Sequence, residues 1–271
     1  MLARKRIAVI GAGKLGETLL RALLDAKVVA PAQLRATVRH PDTAARKAKA
    51  LGIRVGTDNA IAAKDTDVLI VSVKPQAMAE ALASVRKIVK KSQLVISTAA
   101  SVSTSYIESH LGPGVPVIRT MPNTACLVRA GMTGVCAGKT ARRDHLAVAE
   151  GLFAAMGKTI ILDEKYMDAV TGLSASGVAF MYVTLESMAE GGVAAGLPRE
   201  IATELAAQTM LGAARMVQET REHPAKLKDV VTTPAGTTID GLLELESGGL
   251  RVTLIKSVMK AAKRAAELVN G

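Results

Sequence analysis

The residues with the clearest chemical potential form a threonine-rich turn late in the chain, within residues 231–249. Four threonines surround a proline and a glycine there: Thr232, Thr233, Pro234, Gly236, Thr237 and Thr238. Thr237 and Asp240 are spaced like a capping box, which predicts the first turn of a helix with free backbone N–H groups. A helix N-terminus of this kind favours a small anion, although an ordinary capped loop can have the same composition.

A glycine-rich loop lies near the other end of the chain. Gly11-Ala-Gly-Lys-Leu-Gly16 follows the apolar run Ile7–Ile10 and precedes leucines at helical spacing. Gly11 permits a tight turn, Gly13 lets the backbone approach a pyrophosphate, and Gly16 allows the helix to pack closely on the strand. A GxGxxG motif alone is weak evidence, but its position between a strand and a helix predicts dinucleotide binding.

The residues after the next predicted strand bear on the choice of cofactor. An NAD-specific enzyme usually places a carboxylate there, against the ribose 2′-hydroxyl. This chain has Arg39 and His40 instead, and the cation favours the 2′-phosphate of NADPH. Asp42 can still contact the ribose, so NADH use stays open.

Other candidate lining residues follow later strands, because ligands of open α/β sheets bind beyond the carboxyl ends of the strands. These segments are Lys74-Pro75, Thr98–Ser101 and Thr120–Thr124. The small residues Ala99 and Ala100 would let a flat nicotinamide ring approach the backbone. Each segment alone is also compatible with ordinary loop chemistry.

Charge and composition narrow the class of protein. The net charge is +11, but the basic residues are scattered and aromatic residues make up only 2% of the chain, so we expect a polyanionic cofactor and an acidic substrate rather than nucleic acid. Cys126 and Cys136 are predicted to be reduced, and the four separate histidines predict no metal site. The basic start of the chain runs directly into Ile7, which predicts no targeting segment and a cytoplasmic location. The segment 169–185 is too short and too polar for a membrane span and predicts a buried helix rich in small residues, which suits close helix packing within or between subunits.

Short apolar segments alternate with helical patterns up to about residue 163. The predicted strands are 7–10, 34–38, 68–73, 94–97, 115–119, 134–136 and 159–162, and predicted helices between them include 79–89 and 142–156. Helical tracts follow at about 166–195, 198–221 and 239–269, with breaks at Gly196-Leu-Pro198 and His223-Pro224. The pattern predicts an α/β Rossmann-type dinucleotide-binding domain with a mostly parallel sheet in residues 1–163, followed by an all-α domain in residues 164–271.

With these segments assembled, the chain resembles the pyrroline-5-carboxylate reductase family over essentially its whole length. The resemblance is carried by residues 11–16, 73–75, 119–124, 168–177, 227–229 and 231–249, followed by Arg251. The block 231–249 is the most specific of these, since a generic dehydrogenase would not carry it. Ala175, Val178 and Ala235 depart from the glycine, proline and glycine that are common in the family.

The resemblance implies the reaction: NADPH-dependent reduction of (S)-1-pyrroline-5-carboxylate to L-proline, the last step of proline biosynthesis. A cyclic iminium carbon accepts hydride readily, so positioning matters more than a dedicated acid. The resemblance also implies that the all-α domain is a dimerisation domain, that the chain forms a homodimer through its C-terminal helices, and that a decamer of dimers is a larger assembly of the family. A site shared between the nicotinamide of one subunit and the threonine-rich turn of the other is implied as well.

Residue by residue, the resemblance implies two sets of contacts. The cofactor contacts are Gly11, Ala12, Gly13, Lys14, Leu15, Gly16, Arg39, His40, Asn59, Val73, Lys74, Ala99 and Ala100. The substrate contacts are Gly236, Thr237, Thr238, Glu164, Ser174 and Ser176, with Thr238 as the catalytic residue near the imine nitrogen or carboxylate. Glu164 also fits a solvated loop acid, and the two serines also fit close helix packing.

Two other functions stay open on the sequence. A β-hydroxyacid dehydrogenase, or a reductase of another cyclic imine, would share the architecture, but the former needs a lysine on the first long helix after the Rossmann domain and residues 168–196 contain none. A nucleotide-sensing or DNA-binding regulator would keep the fold without catalysis. Both ligand-binding blocks are nearly complete here, which speaks against such a regulator.

Overall fold

The computed structural model describes residues 2 and 4–268, and within them the chain has eight strands and twelve helices. The strands are β1 (Ile7–Ile10), β2 (Leu34–Thr37), β3 (Arg54–Gly56), β4 (Val68–Val71), β5 (Leu94–Ser97), β6 (Val117–Met121), β7 (Gly131–Ala137) and β8 (Gly157–Ile161). The helices of the α/β part are α1 (Lys14–Asp25), α2 (Pro41–Leu51), α3 (Asn59–Ala63), α4 (Met78–Val85), α5 (Thr104–Leu111), α6 (Arg143–Phe153) and α7 (Met167–Val170). The helices that follow are α8 (Gly177–Ala194), α9 (Arg199–Thr220), α10 (Pro224–Val230), α11 (Thr237–Ser247) and α12 (Leu250–Glu267).

The strands form one sheet in the order β3-β2-β1-β4-β5-β6-β7-β8. β1 to β6 are parallel, β7 runs antiparallel to β6, and β8 is parallel to β7. This confirms the predicted Rossmann-type fold with a mostly parallel sheet, followed by helices. The carboxyl ends of β1 to β6 therefore share one edge of the sheet, where a ligand of this fold binds.

Alternation along the buried strands builds a core on each face of the sheet. In β1, Ile7 and Val9 face a cluster that includes α1 and α6, whereas Ala8 and Ile10 face a second cluster that includes α4 and α5. All four residues are at most 1% exposed. Helices on both faces thus hold the strand that ends at the glycine-rich loop.

Several predicted elements differ from the structure. The three-residue β3 is absent from the prediction because it is short and mostly exposed. The strand predicted at 115–119 begins at Val117, after Pro116, which has no N–H to donate. The helix predicted to end at residue 89 ends at Val85, and the tract predicted at 239–269 is two helices that break at Gly249, whose φ is +69°. The predicted limits at residues 1, 269 and 271 lie outside the described residues.

The chain divides into two compact units. One reaches to Ala175 and includes the end of α12 from Lys260, and the other is Ser176–Met259. The predicted domain boundary between residues 163 and 164 stays a prediction.

The second unit has little core of its own. Ala189 of α8 packs with Ala202 and Ala206 of α9, and a Cβ added at Gly192 would lie 3.1 Å from the Cβ of Ala202, so the two helices approach closely. Large apolar side chains remain exposed, among them Tyr182, Val183, Ile201, Leu205 and Leu243. The buried helix predicted at 169–185 suits packing within or between subunits; most of α8 is not buried within one chain, which leaves packing between subunits as the way to cover its apolar side chains.

One helical stretch, Glu164–Ala194, is long and apolar enough to cross a membrane by length and composition alone, with a mean hydropathy of 1.2. The stretch is not one regular α-helix. It contains a short 3₁₀ turn, α7, a π-helical segment at Thr171–Ala175 and then α8.

Candidate functional site

The glycine-rich loop has the three properties predicted for it. Gly11 has a φ of +85°, and a Cβ there would lie 2.8 Å from the carbonyl oxygen of Ser72. A Cβ at Gly16 would lie 2.6 Å from the carbonyl oxygen of Gly11, so this glycine lets α1 pack against the turn. At Gly13 an added Cβ would meet nothing within 4 Å, which leaves space for a phosphate beside the backbone.

The start of α1 adds hydrogen-bond donors to that space. Gly13 is the N-cap of α1, and no side chain caps the helix. The first N–H groups of a helix have no partner within it and carry the positive end of the helix dipole. Open space next to uncapped N–H groups fits the pyrophosphate of a dinucleotide.

A chain of hydrogen bonds supports the loop from below. The N–H of Ala12 donates to the carbonyl oxygen of Thr37 at 2.7 Å, and the Thr37 hydroxyl donates to Oδ1 of Asn59 at 2.7 Å. Nδ2 of Asn59 donates in turn to the Ser84 hydroxyl at 3.0 Å. Both the oxygen and the nitrogen of the Asn59 amide thus make hydrogen bonds within the protein. The ribose contact predicted for Asn59 stays a prediction. Sequence reasoning missed Thr37, although a threonine at the end of a buried strand is a usable signal.

The residues after β2 are available to an anion. Arg39 and His40 are exposed, and His40 is the N-cap of α2. Behind them Lys47 of α2 pairs with Glu17 of α1. The hydrogen bond from Lys47, together with that from Arg21, lowers the pKa of Glu17 below its usual range. The carboxylate near the glycine-rich loop is therefore neutralised by its own neighbours.

The loops after β4 and β5 lie at the same edge. The Thr98 hydroxyl donates to the Ser72 hydroxyl at 3.0 Å, which ties the two loops together. Lys74 is exposed and Val73 is half-buried, while Ala99 is buried and Ala100 half-buried. Ser101 has a φ of +63°, is only 2% exposed, and its hydroxyl has no hydrogen-bond partner among the described residues.

Glu164 is part of an ion cluster around Arg119 of β6. Its carboxylate accepts hydrogen bonds from the N–H and hydroxyl of Thr104, at 2.7 and 2.5 Å, and from Arg119 at 3.3 Å. Arg119 also donates to Asp168 at 3.2 Å. The interpretation of Glu164 as a solvated loop acid is therefore wrong. Sequence reasoning missed Arg119, whose signal is a charge inside the apolar strand Val117-Ile118-Arg119.

The two predicted serines differ in their surroundings. Ser174 lies in the π-helical segment Thr171–Ala175, and its hydroxyl accepts a hydrogen bond from Nδ2 of Asn123 at 3.3 Å. Ser176 is the N-cap of α8 without a side-chain cap bond. Short π-helical segments recur at functional sites, so Ser174 remains a candidate contact.

The threonine-rich turn in the second unit differs from its prediction in one respect. The N-cap of α11 is Gly236 and no side chain caps the helix, so the predicted Thr237–Asp240 capping box is wrong. Ala235 has a φ of +56°, and the N–H of Gly236 donates to the carbonyl oxygen of Thr233 at 3.1 Å. This left-handed turn moves the helix start to residue 237 and leaves Thr237 and Thr238 in an uncapped first turn.

Both parts of the chain match families of known proteins. Residues 6–101 match the family described as NADP oxidoreductase, coenzyme F420-dependent, and residues 164–268 match pyrroline-5-carboxylate reductase dimerisation. The pyrroline-5-carboxylate reductase of Methanosarcina acetivorans is 43% identical over 268 residues, which are 98% of this chain and 99% of that protein.

Solved structures agree with these matches. A pyrroline-5-carboxylate reductase from Coxiella burnetii superposes with a TM-score of 0.91 at 35% identity, covering 97% of this chain and 98% of the other. The pyrroline carboxylate reductase of Plasmodium falciparum, solved with NADP bound, has a TM-score of 0.89 at 25% identity, covering 99% of this chain and all of the other.

Proposed function

Because the chain belongs to the pyrroline-5-carboxylate reductase family, we propose that it reduces (S)-1-pyrroline-5-carboxylate to L-proline with NADPH as the cofactor. The observation that carries this function is similarity along the full length to reductases of that name, combined with an open dinucleotide loop at Gly13. The same family match favours this function over the two alternatives, a β-hydroxyacid dehydrogenase and a nucleotide-sensing or DNA-binding regulator.

The cofactor is held by the residues predicted for it. We assign the pyrophosphate to the backbone of residues 11–16, the 2′-phosphate to Arg39 with His40, and the ribose and nicotinamide to Asn59, Val73, Lys74, Ala99 and Ala100. When bound, NADPH supplies the hydride that reduces the carbon of the C=N bond. The uncapped start of α1 and the space beside Gly13 support this assignment.

The substrate is held by the threonine-rich turn. We assign its carboxylate to the N–H groups of Thr237 and Thr238, in the uncapped first turn of α11, and a hydrogen bond near its ring nitrogen to the Thr238 hydroxyl. The Gly236 N–H, also predicted for the carboxylate, already donates to the carbonyl oxygen of Thr233. The imine takes up its proton in solution or through this hydrogen bond, because a cyclic imine is basic enough near neutral pH. The chain therefore contributes orientation more than acid–base chemistry. Placement of this turn against the cofactor of a partner subunit stays a prediction from the family resemblance.

The helices of the second unit pair with another chain. Residues 164–268 match a dimerisation family, and the exposed apolar side chains of α8 and α9 give such a contact its surface. We further infer a decamer of dimers and a cytoplasmic location without nucleic acid or membrane. The apolar stretch Glu164–Ala194 falls in the matched dimerisation region, so contact with another chain accounts for its apolar character without a membrane.

A steady-state assay tests the reaction. NADPH consumption should be fast with pyrroline-5-carboxylate and slow with pyrroline-2-carboxylate, whose carboxylate is on the imine carbon itself. Comparable rates with both compounds, or none with the first, would overturn the assignment.

A matched pair of variants tests the substrate site. Thr238→Ala should lower kcat about ten-fold, the value of roughly one hydrogen bond, with KM for NADPH unchanged. Thr232→Ala is the control, because the Thr232 hydroxyl donates to the carbonyl oxygen of Lys228 at 2.8 Å and is used within the fold. Equal loss in the two variants would remove Thr238 from the site.

A further inference from the structure

Glu164 has little capacity left for a substrate. Oε1 accepts from the Thr104 N–H and from Arg119, and Oε2 accepts from the Thr104 hydroxyl. The side chain of Glu164 is 29% exposed, whereas that of Arg119 is 5% exposed. A buried guanidinium that pairs with Glu164 and Asp168 fixes the carboxylate in place, because freeing it would leave a buried charge short of a partner.

Thr104, the hydrogen-bond partner of Glu164, lies where helix α5 begins, directly after a loop of the proposed cofactor site. Thr104 is the first residue of α5, and the preceding residues Thr98–Ser103, here called the nicotinamide loop, contain Ala99 and Ala100. The carboxylate takes both donors of Thr104, one from the backbone and one from the side chain. Glu164 therefore holds the far end of this loop against the segment that begins at residue 164.

The nicotinamide loop needs such support because it is strained. Ser101 is a non-glycine residue with a φ of +63°, and its buried hydroxyl has no partner among the described residues. Strained backbone of this kind persists only where the surroundings hold it, and it clusters at functional sites. One end of the loop is held by the Thr98–Ser72 hydrogen bond and the other by Thr104 on Glu164.

We propose that Glu164 is a positioning residue that holds the nicotinamide loop in its binding conformation, not a substrate ligand. Arg119 fixes the Glu164 carboxylate, and Glu164 fixes Thr104 and with it the loop. Without this clamp, meaning the hydrogen bonds from Thr104 to Glu164, the strained conformation of the nicotinamide loop is populated less. The apparent affinity for the nicotinamide half of the cofactor then falls by the same factor as that population.

The test compares NADPH with a fragment that lacks the nicotinamide, and it rests on the proposed cofactor site. Binding of NADPH and of 2′,5′-ADP to the purified full-length protein is measured by calorimetry for the wild type and Glu164→Gln. The amide keeps one acceptor for Thr104 but loses the second acceptor and the charge. We expect NADPH to bind about ten-fold more weakly and 2′,5′-ADP to bind as to the wild type, because the loop faces only one half of the cofactor. Asp163→Asn, which alters an exposed neighbouring acid paired with Lys165, should change neither.

Two further variants keep the test decisive if Glu164→Gln does not fold. Thr104→Val removes only the hydroxyl donor and should repeat the selective loss of NADPH, and Thr104→Ser should restore wild-type binding. Equally weakened binding of both ligands would mean that the variant is generally destabilised. Unchanged binding of both ligands would mean that the clamp does not act on the cofactor, whether or not the KM for pyrroline-5-carboxylate rises. Either result would overturn the inference. A wild type that binds no NADPH would instead refute the proposed function.

Discussion

The same substitution at three glycines of one loop should have three different effects. Gly11→Ala, Gly13→Ala and Gly16→Ala each add one methyl group within six residues of chain. The space around each Cβ differs, however, and so does the backbone conformation. Folding and cofactor binding should therefore separate along this loop.

The structure gives the size of each effect. At Gly11 the left-handed backbone costs about 1–2 kcal/mol for a residue with a Cβ, and the contact of 2.8 Å with the Ser72 carbonyl adds about 1–3 kcal/mol. At Gly13 φ is −71° and nothing lies within 4 Å, so stability should change by less than about 1 kcal/mol. The new methyl group there occupies phosphate space, and losing one or two charged hydrogen bonds of about 1.5–3 kcal/mol each weakens NADPH at least ten-fold. Gly16→Ala should impair both properties, because its Cβ would press on the Gly11 carbonyl at 2.6 Å.

Thermal unfolding without ligand and fluorescence titration with NADPH measure the two properties separately. Gly11→Ala should lower the melting temperature by several degrees, whereas Gly13→Ala should melt like the wild type and bind NADPH weakly. If Gly13→Ala bound NADPH normally, the phosphate would not lie beside that residue. If it melted as early as Gly11→Ala, the separation of folding from binding would be wrong.

Four further outcomes are expected. Arg39→Asp should weaken NADPH much more than NADH in KM measurements, and equal losses would refute the 2′-phosphate assignment. Ser101→Gly should increase the free energy of unfolding by about 1 kcal/mol and raise the melting temperature, because glycine adopts the left-handed backbone without strain and removes a buried hydroxyl that has no partner among the described residues. A lower melting temperature would contradict the strain at Ser101. Hydrogen bonds from Lys47 and Arg21 lower the pKa of Glu17, so this carboxylate stabilises the fold above its unfolded pKa of about 4.3. Glu17→Gln should cost up to about 1 kcal/mol at pH 7, and in an acid denaturation series this deficit should begin to shrink below the unfolded pKa and disappear only below the lowered native pKa. Burial raises the pKa of the Cys136 thiol to about 12, so thiol reagents at pH 8 should label it only after unfolding, and rapid labelling of native protein would contradict its burial.

The glycine-rich loop could be predicted from sequence because its determinants are local. A buried strand, three glycines and a helix follow one another within 20 residues, and each glycine has a separate steric reason. The roles of Glu164 and Arg119 could not be predicted in this way. They lie 45 residues apart and meet only when β6 is placed next to the segment after β8.

Errors near the carboxyl terminus have local causes that the pattern concealed. The capping box failed because Ala235 adopts a left-handed conformation that glycine adopts more easily, and the turn passes the N-cap position to Gly236. The short helix α10 was missed because its N-cap is His223, which is not a usual capping residue, although its Nδ1 accepts a hydrogen bond from the Ala225 N–H. The break at Gly249 was hidden inside a motif that otherwise reads as one helix.

The alanine-lined contact between α8 and α9 has a consequence for the protein in the cell. The second unit, whose buried apolar cluster among the described residues is Ala189, Ala202 and Ala206, should gain stability on meeting another copy, so the folded fraction of this unit should depend on protein concentration. When expression is reduced, the amount of folded enzyme should then fall by a larger factor than the total amount of chain, because chains without a partner are degraded by proteases. A defective copy made beside an intact one would be protected from degradation in mixed dimers. Each mixed dimer would then hold one intact copy that no longer pairs with a second intact copy.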